Sequence, residues 1–134
     1  MELKLEALGY TFIHKPLLIG GKAMEYYGLR KAGADIDLVI HEQDHRALLS
    51  KYPLNVKDLA GDIGICEFGY EMWNQICRFD YEYLRSNAIE ESDFLVVALE
   101  RLLFLKALAM GIPKYHKDLE MVVGLVLKKA YGKA

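Results

Sequence analysis

The sequence predicts an α+β fold: a mixed β-sheet packed by helices, with a helical pair near the C-terminus. Three observations carry that expectation. Short apolar or alternating runs that suit strands, at 15–19, Asp35–His41 and Ile63–Ile76, all precede Phe79. Longer patterns with helical spacing, Phe94 to about Met110 and Tyr115–Lys129, follow Ser92. Glycine and proline punctuate the joins at Gly20-Gly21, Gly28, Pro53, Gly69 and Gly111-Ile112-Pro113. Strands early and long helices late form an α+β order rather than a strict alternation.

Whole-chain properties narrow the class further. At 134 residues, 1–134 reads as a single domain long enough to bury a core, with its helical C-terminal part over about 93–130. Apolar residues make 53% and charged residues 27%, an ordinary globular balance. A formal net charge of −2 excludes a global basic field that would recruit nucleic acid. The apolar run from Phe94 is broken by Glu100, Arg101 and Lys106, so no membrane span is expected. Met1-Glu2-Leu3-Lys4 has no basic region leading into an apolar core, so no signal peptide is expected. Cys66 and Cys77 are too few for a disulfide framework or a metal set; they read as small buried thiols, consistent with a reducing cytoplasm.

In chain order, residues 2–8 suit a short helix ending near Gly9. The run 15–19 suits a strand that starts at Pro16, where a missing donor is tolerated, and Gly20-Gly21 stops it. Lys22–Tyr27 is helical in composition, with Gly28 as its C-terminal stop. Asp35–His41 alternates, Ile36, Leu38 and Ile40 on one face and Asp35, Asp37 and Val39 on the other. Glu42–Tyr52 suits an amphipathic helix ended by Pro53, and Leu54–Ala60 carries no clear signal. Two alternating runs around Gly69 predict a hairpin. Trp73 with Tyr70, Phe79, Tyr81 and Tyr83 reads as core packing rather than a base-stacking platform. Ser92-Asp93 can cap a long helix from Phe94 to about Met110.

Two short motifs bear chemistry. Gly20-Gly21 ends an apolar strand and opens a helix, where backbone N–H groups can receive an anion and the missing Cβ atoms let phosphate come close. There is no Walker A lysine pattern and no GxGxxG. Asp35 and Asp37 stand two apart on a strand, so both carboxylates project to one side, about 6–7 Å apart. Hard oxygen ligands at that spacing suit Mg²⁺ with substrate phosphate oxygens. The four histidines, His14, His41, His45 and His116, show no ligand-like clustering.

The two motifs are separated by thirteen residues, 22–34, and both have apolar flanks. This combination resembles the signature of the DNA polymerase beta-like nucleotidyltransferase superfamily. The stretch Gly20-Gly21-Lys22-Ala23, Tyr27-Gly28-Leu29-Arg30 and Asp35-Ile36-Asp37-Leu38-Val39 looks most like small bacterial members, including the AbiEii-type toxin–antitoxin branch. The resemblance covers residues 18–40, with a weaker echo over 95–120. It implies a nucleotidyltransferase-like sheet, an NTP as substrate, Mg²⁺ as cofactor, and tRNA or a partner protein as acceptor. It implies that Gly20, Gly21 and Lys22 lie at the triphosphate and that Asp35 and Asp37 hold metal. The family's third carboxylate lies on a later strand between apolar residues. Glu67, in Cys66-Glu67-Phe68, and Asp80, in Phe79-Asp80-Tyr81, are both candidates. Lys106 sits in an almost wholly apolar helix, where it either snorkels to water or needs an anionic partner. The resemblance places Lys106, Lys117 and Asp118 near the nucleotide; alternatively Asp118 pairs with Lys106 and locks the two helices together.

Overall fold

Leu17–Ile19 is the strand about which the sheet hangs: all three residues are buried, and Leu17 and Leu18 are 0% exposed. The architecture comes from a computed structural model that describes residues 1–132. In chain order the strands are β1 (Leu17–Ile19), β2 (Ile36–Val39), β3 (Val56–Leu59), β4 (Asp62–Glu67), β5 (Tyr70–Trp73), β6 (Gln75–Ile76), β7 (Phe79–Asp80), β8 (Ile89–Glu90) and β9 (Leu95–Val96). The helices are α1 (Gly20–Tyr26), α2 (Glu42–Lys51), α3 (Tyr81–Leu84), α4 (Leu99–Leu108) and α5 (His116–Tyr131). Two 3₁₀ turns, Leu5–Leu8 and Pro113–Tyr115, precede β1 and α5.

Seven strands form one mixed sheet in the order β3-β4-β5-β2-β1-β9-β8, and β6 and β7 make a separate ribbon. β1 runs antiparallel to β2 and parallel to β9, while β2 runs parallel to β5. The expected α+β class is therefore observed, and the hairpin around Gly69 is the antiparallel β4–β5 pair. Among the described residues no helix is long and apolar enough to cross a membrane.

Three expectations are corrected. The helix expected from Phe94 begins only at Leu99, because Leu95 and Val96 instead pair with Leu17 and Leu18 as β9. Phe94–Ala98 are all buried, and a short run apolar on every side suits a strand covered on both faces. The unassigned stretch after Pro53 contains β3, an edge strand whose four residues are all exposed. Neither thiol is fully buried: Cys66 is half-buried and Cys77 is exposed.

One apolar cluster runs from Leu3 to Val122 and takes in both faces of the central strands. Leu38, Val39 and Ile40 are all 0% exposed, so the end of β2 is covered on both sides. Tyr70, Trp73 and Tyr81 are buried in this core as expected, whereas Tyr83 is 40% exposed. Asp44 on α2, itself 0% exposed, ties down the N-terminal segment. It accepts hydrogen bonds from the Tyr10 hydroxyl and from the backbone N–H groups of Ile13 (2.8 Å) and His14 (3.0 Å). With three donors its buried charge is compensated.

Candidate functional site

The β1–α1 junction and the middle of β2 build the site. Ile19 pairs with Asp37 across the antiparallel β1–β2 ladder, so Gly20 follows directly beside that carboxylate. Gly20 takes φ +66°, and a Cβ there would lie 2.6 Å from Asp37 Oδ2. Only glycine meets both demands without strain. Gly21 has a second neighbour: a Cβ on it would lie 3.4 Å from Arg30 Nη1.

The third carboxylate at Asp37 is Glu71. The parallel β2–β5 register sets Asp37 beside Glu71, and the β4–β5 register sets Glu71 beside Cys66. Residues opposite one another in a sheet share a face, so these three side chains form a row across three strands. Glu67 is next to Cys66 in sequence, so the pleat turns it to the other face; its Oε1 accepts from Asn55 Nδ2 at 2.6 Å. Asp80 lies in the separate ribbon and caps α3, accepting from the Tyr83 N–H at 2.9 Å. Of the two residues expected to supply the third ligand, neither stands in this row. The signal for Glu71 was present in Tyr70-Glu71-Met72, a carboxylate flanked by apolar residues on a strand. It has the same local pattern as the other two, and only strand register separates them.

Asp35 lies just outside β2 and is exposed, so the two aspartates do not share one regular strand. Its charge still reaches Asp37. Burial first, then the like charges of Glu71 and Asp35, push the Asp37 carboxyl up to about 6, with Lys106 and Lys57 opposing. An open hollow of about 290 Å³ at this end of the sheet is lined by Asp35, Glu71, Lys57 and Cys66, and reaches Glu67 around the hairpin end. At ~30 Å³ per water it has room for a hydrated ion.

Lys106 is 7% exposed and does not snorkel. Its ammonium lies 2.9 Å from Asp118 Oδ2, so the pair joins α4 to α5. Arg30 completes the cluster with Nε 2.7 Å from Oδ1 and Nη2 2.8 Å from Oδ2 of Asp118. The Arg30 hydrogen bonds foremost, with those of Lys106, hold the Asp118 carboxyl down to about 2, against the opposing effect of burial. Two cations on one carboxylate leave net positive charge beside the Gly21 backbone. Lys22 turns to Glu25 at 2.9 Å, and Lys117 is exposed on the first turn of α5. Arg30 carried no role in the sequence reading, because its partner lies 88 residues away.

The donor chemistry fits a hard divalent cation. Asp35, Asp37 and Glu71 all carry oxygen donors, and Asp37 sits among like charges that a cation would relieve. Among the described residues no three His, Cys, Asp or Glu side chains converge tightly enough to hold a metal unaided. Mg²⁺ commonly takes only one or two carboxylates, completing its shell with water and phosphate oxygens. No family model, curated protein or solved structure matches the chain, so the site rests on its own geometry.

Proposed function

We propose that this chain is a Mg²⁺-dependent nucleotidyltransferase that moves a nucleoside monophosphate from an NTP to an acceptor on RNA or a partner protein. The observation that supports it is the contact of Gly20 with Asp37, with Glu71 in register beside them. A glycine turn that brings backbone N–H groups within touching distance of a clustered carboxylate sets donors for phosphate beside charge for a metal.

In this reading Asp37 and Glu71 hold the metal, and Asp35, which lines the hollow beside Glu71, assists. Bound Mg²⁺ would neutralise phosphate charge as a Lewis acid. Gly20 and Gly21 admit the β and γ phosphates to the backbone. The acceptor oxygen attacks the α phosphorus in line, the bond to the β-bridging oxygen breaks, and pyrophosphate leaves. Lys106, fixed by Asp118, supplies positive charge towards which the leaving negative charge develops. Arg30 adds a second cation beside Gly21.

Calorimetric titration with Mg²⁺ and an NTP tests this reading. Binding in wild type that disappears in the Asp35→Ala/Asp37→Ala variant is expected; equal heats in both would remove its basis. The resemblance to toxin–antitoxin members motivates tRNA or a partner protein as acceptor. Incubation with a labelled NTP and each acceptor, followed by gel analysis, separates the two. A second reading, a binding module of the same design without transfer activity, is favoured by the Lys57 ammonium 3.2 Å from Glu71 Oε2, which fills a metal ligand's charge. Transfer of label that Asp37→Ala abolishes would exclude it.

A further inference from the structure

We propose that Lys57 is a tethered counter-ion of the carboxylate site: its ammonium neutralises Glu71 when no divalent cation is bound and leaves when one binds. The proposal rests on the reading of the site as a metal-dependent nucleotidyltransferase centre.

Lys57 stands on the exposed edge strand β3, and Glu71 lies two strands away on β5. The lysine must cross β4; opposite it stands Gly64, where the Trp73 indole, 2.9 Å from the place of a Cβ, takes the space above the backbone. The next residue of β4 on the same face is Cys66, which is small. The stem crosses on the Cys66 side, in register with Glu71, and sets Nζ 3.2 Å from Glu71 Oε2.

Other cations near the site are committed elsewhere. Lys106 is held by Asp118 and Lys22 by Glu25, both at 2.9 Å. Among the described residues Lys57 is the cation in direct contact with the Asp35–Asp37–Glu71 group. The Lys57 side chain is 52% exposed, whereas that of Glu71 is 16% exposed. The carboxylate is thus fixed and the ammonium is free to swing into water. An ion pair with one partner half exposed is weak and reversible, so a divalent cation can displace it. Holding Glu71 in place before the metal arrives also limits the repulsion it exerts on Asp37.

A different role would be purely structural, since lysine on an edge strand also discourages pairing with another chain. Calorimetry with MgCl₂ alone separates the two on wild type, Lys57→Met and Lys57→Arg. Removal of the competing charge in Lys57→Met should tighten Mg²⁺ binding about threefold to fivefold, the upper range of a weak ion pair, while Lys57→Arg stays within about twofold of wild type. Unchanged or weaker binding in Lys57→Met, with wild type binding normally, overturns the counter-ion and leaves the nucleotidyltransferase reading standing. No Mg²⁺ binding by wild type overturns both. A metal-free arm uses melting temperatures of Lys57→Met, Glu71→Gln and the double variant. A non-additive shift supports direct charge pairing, and strictly additive shifts overturn it.

Discussion

Gly20 and Asp37 are fitted to one another: a Cβ on Gly20 would stand 2.6 Å from Asp37 Oδ2 and 3.2 Å from its Cβ. The backbone of one strand end and the carboxylate of the next strand therefore share a space that no other residue pair could fill as placed. The proposed site is arranged around that contact.

Gly20→Ala should be costly for two separate reasons. The residue has φ +66°, which costs an L-residue about 1–2 kcal/mol, and the new methyl displaces Asp37. A loss of at least ~2 kcal/mol in urea denaturation is expected, together with loss of Mg²⁺–NTP binding. Gly33→Ala, where nothing lies within 4 Å of the added Cβ, should leave both unchanged.

Asp37→Asn should stabilise the protein while removing metal binding. The carboxyl is pushed up to about 6 by burial and by Glu71 and Asp35, so its ionisation opposes folding. Because the folded value is raised, the penalty is full above about pH 6 and vanishes below the ordinary value near 4. Thermal denaturation should show the variant more stable at pH 8, by up to about 2 kcal/mol, with the gap closing as pH falls to about 4.

Asp118 carries the opposite sign. Its folded value is lowered to about 2, so its contribution is present above the ordinary value near 4 and is lost as pH falls towards 2. That contribution is on the order of 2 kcal/mol. Asp118→Asn leaves the buried Lys106 and the half-buried Arg30 without their anion, which should cost about 3–5 kcal/mol at pH 7. Equilibrium unfolding from pH 7 down to about pH 2 should show the wild type losing stability more steeply than Asp118→Asn in that acid range.

The three candidates for the third carboxylate should separate cleanly. Glu71→Gln should lower transfer activity by ~10² or more, the scale of removing a transition-state charge partner. Glu67→Gln should keep activity, since its side chain faces the other side of the sheet and bonds to Asn55. Asp80→Ala should cost ~1 kcal/mol of stability through the lost α3 cap and leave activity intact. Steady-state kinetics and melting curves on the three variants check this.

What could be read in the sequence follows from distance along the chain. Gly20-Gly21 and Asp35-Ile36-Asp37 were legible because their chemistry lies within one short segment and β1 and β2 are neighbours. Leu54–Ala60 was not, because an exposed edge strand has no buried face to impose alternation. Phe94–Ala98 was mistaken for helix because an apolar run without polar positions has no period to read. Glu71 and Lys57 needed the β2–β5 and β3–β4 registers, which local patterns do not encode. The Lys106–Asp118 pair was anticipated as one alternative because its members flank a single helical turn-around, whereas Arg30, 88 residues from Asp118, was not.

The most direct test is a crystal structure with Mn²⁺ and a non-hydrolysable NTP. An anomalous metal peak coordinated by Asp37 and Glu71 is expected, with the triphosphate against the Gly20-Gly21 backbone. A metal bound away from Asp37, or a triphosphate bound away from Gly20, would contradict it.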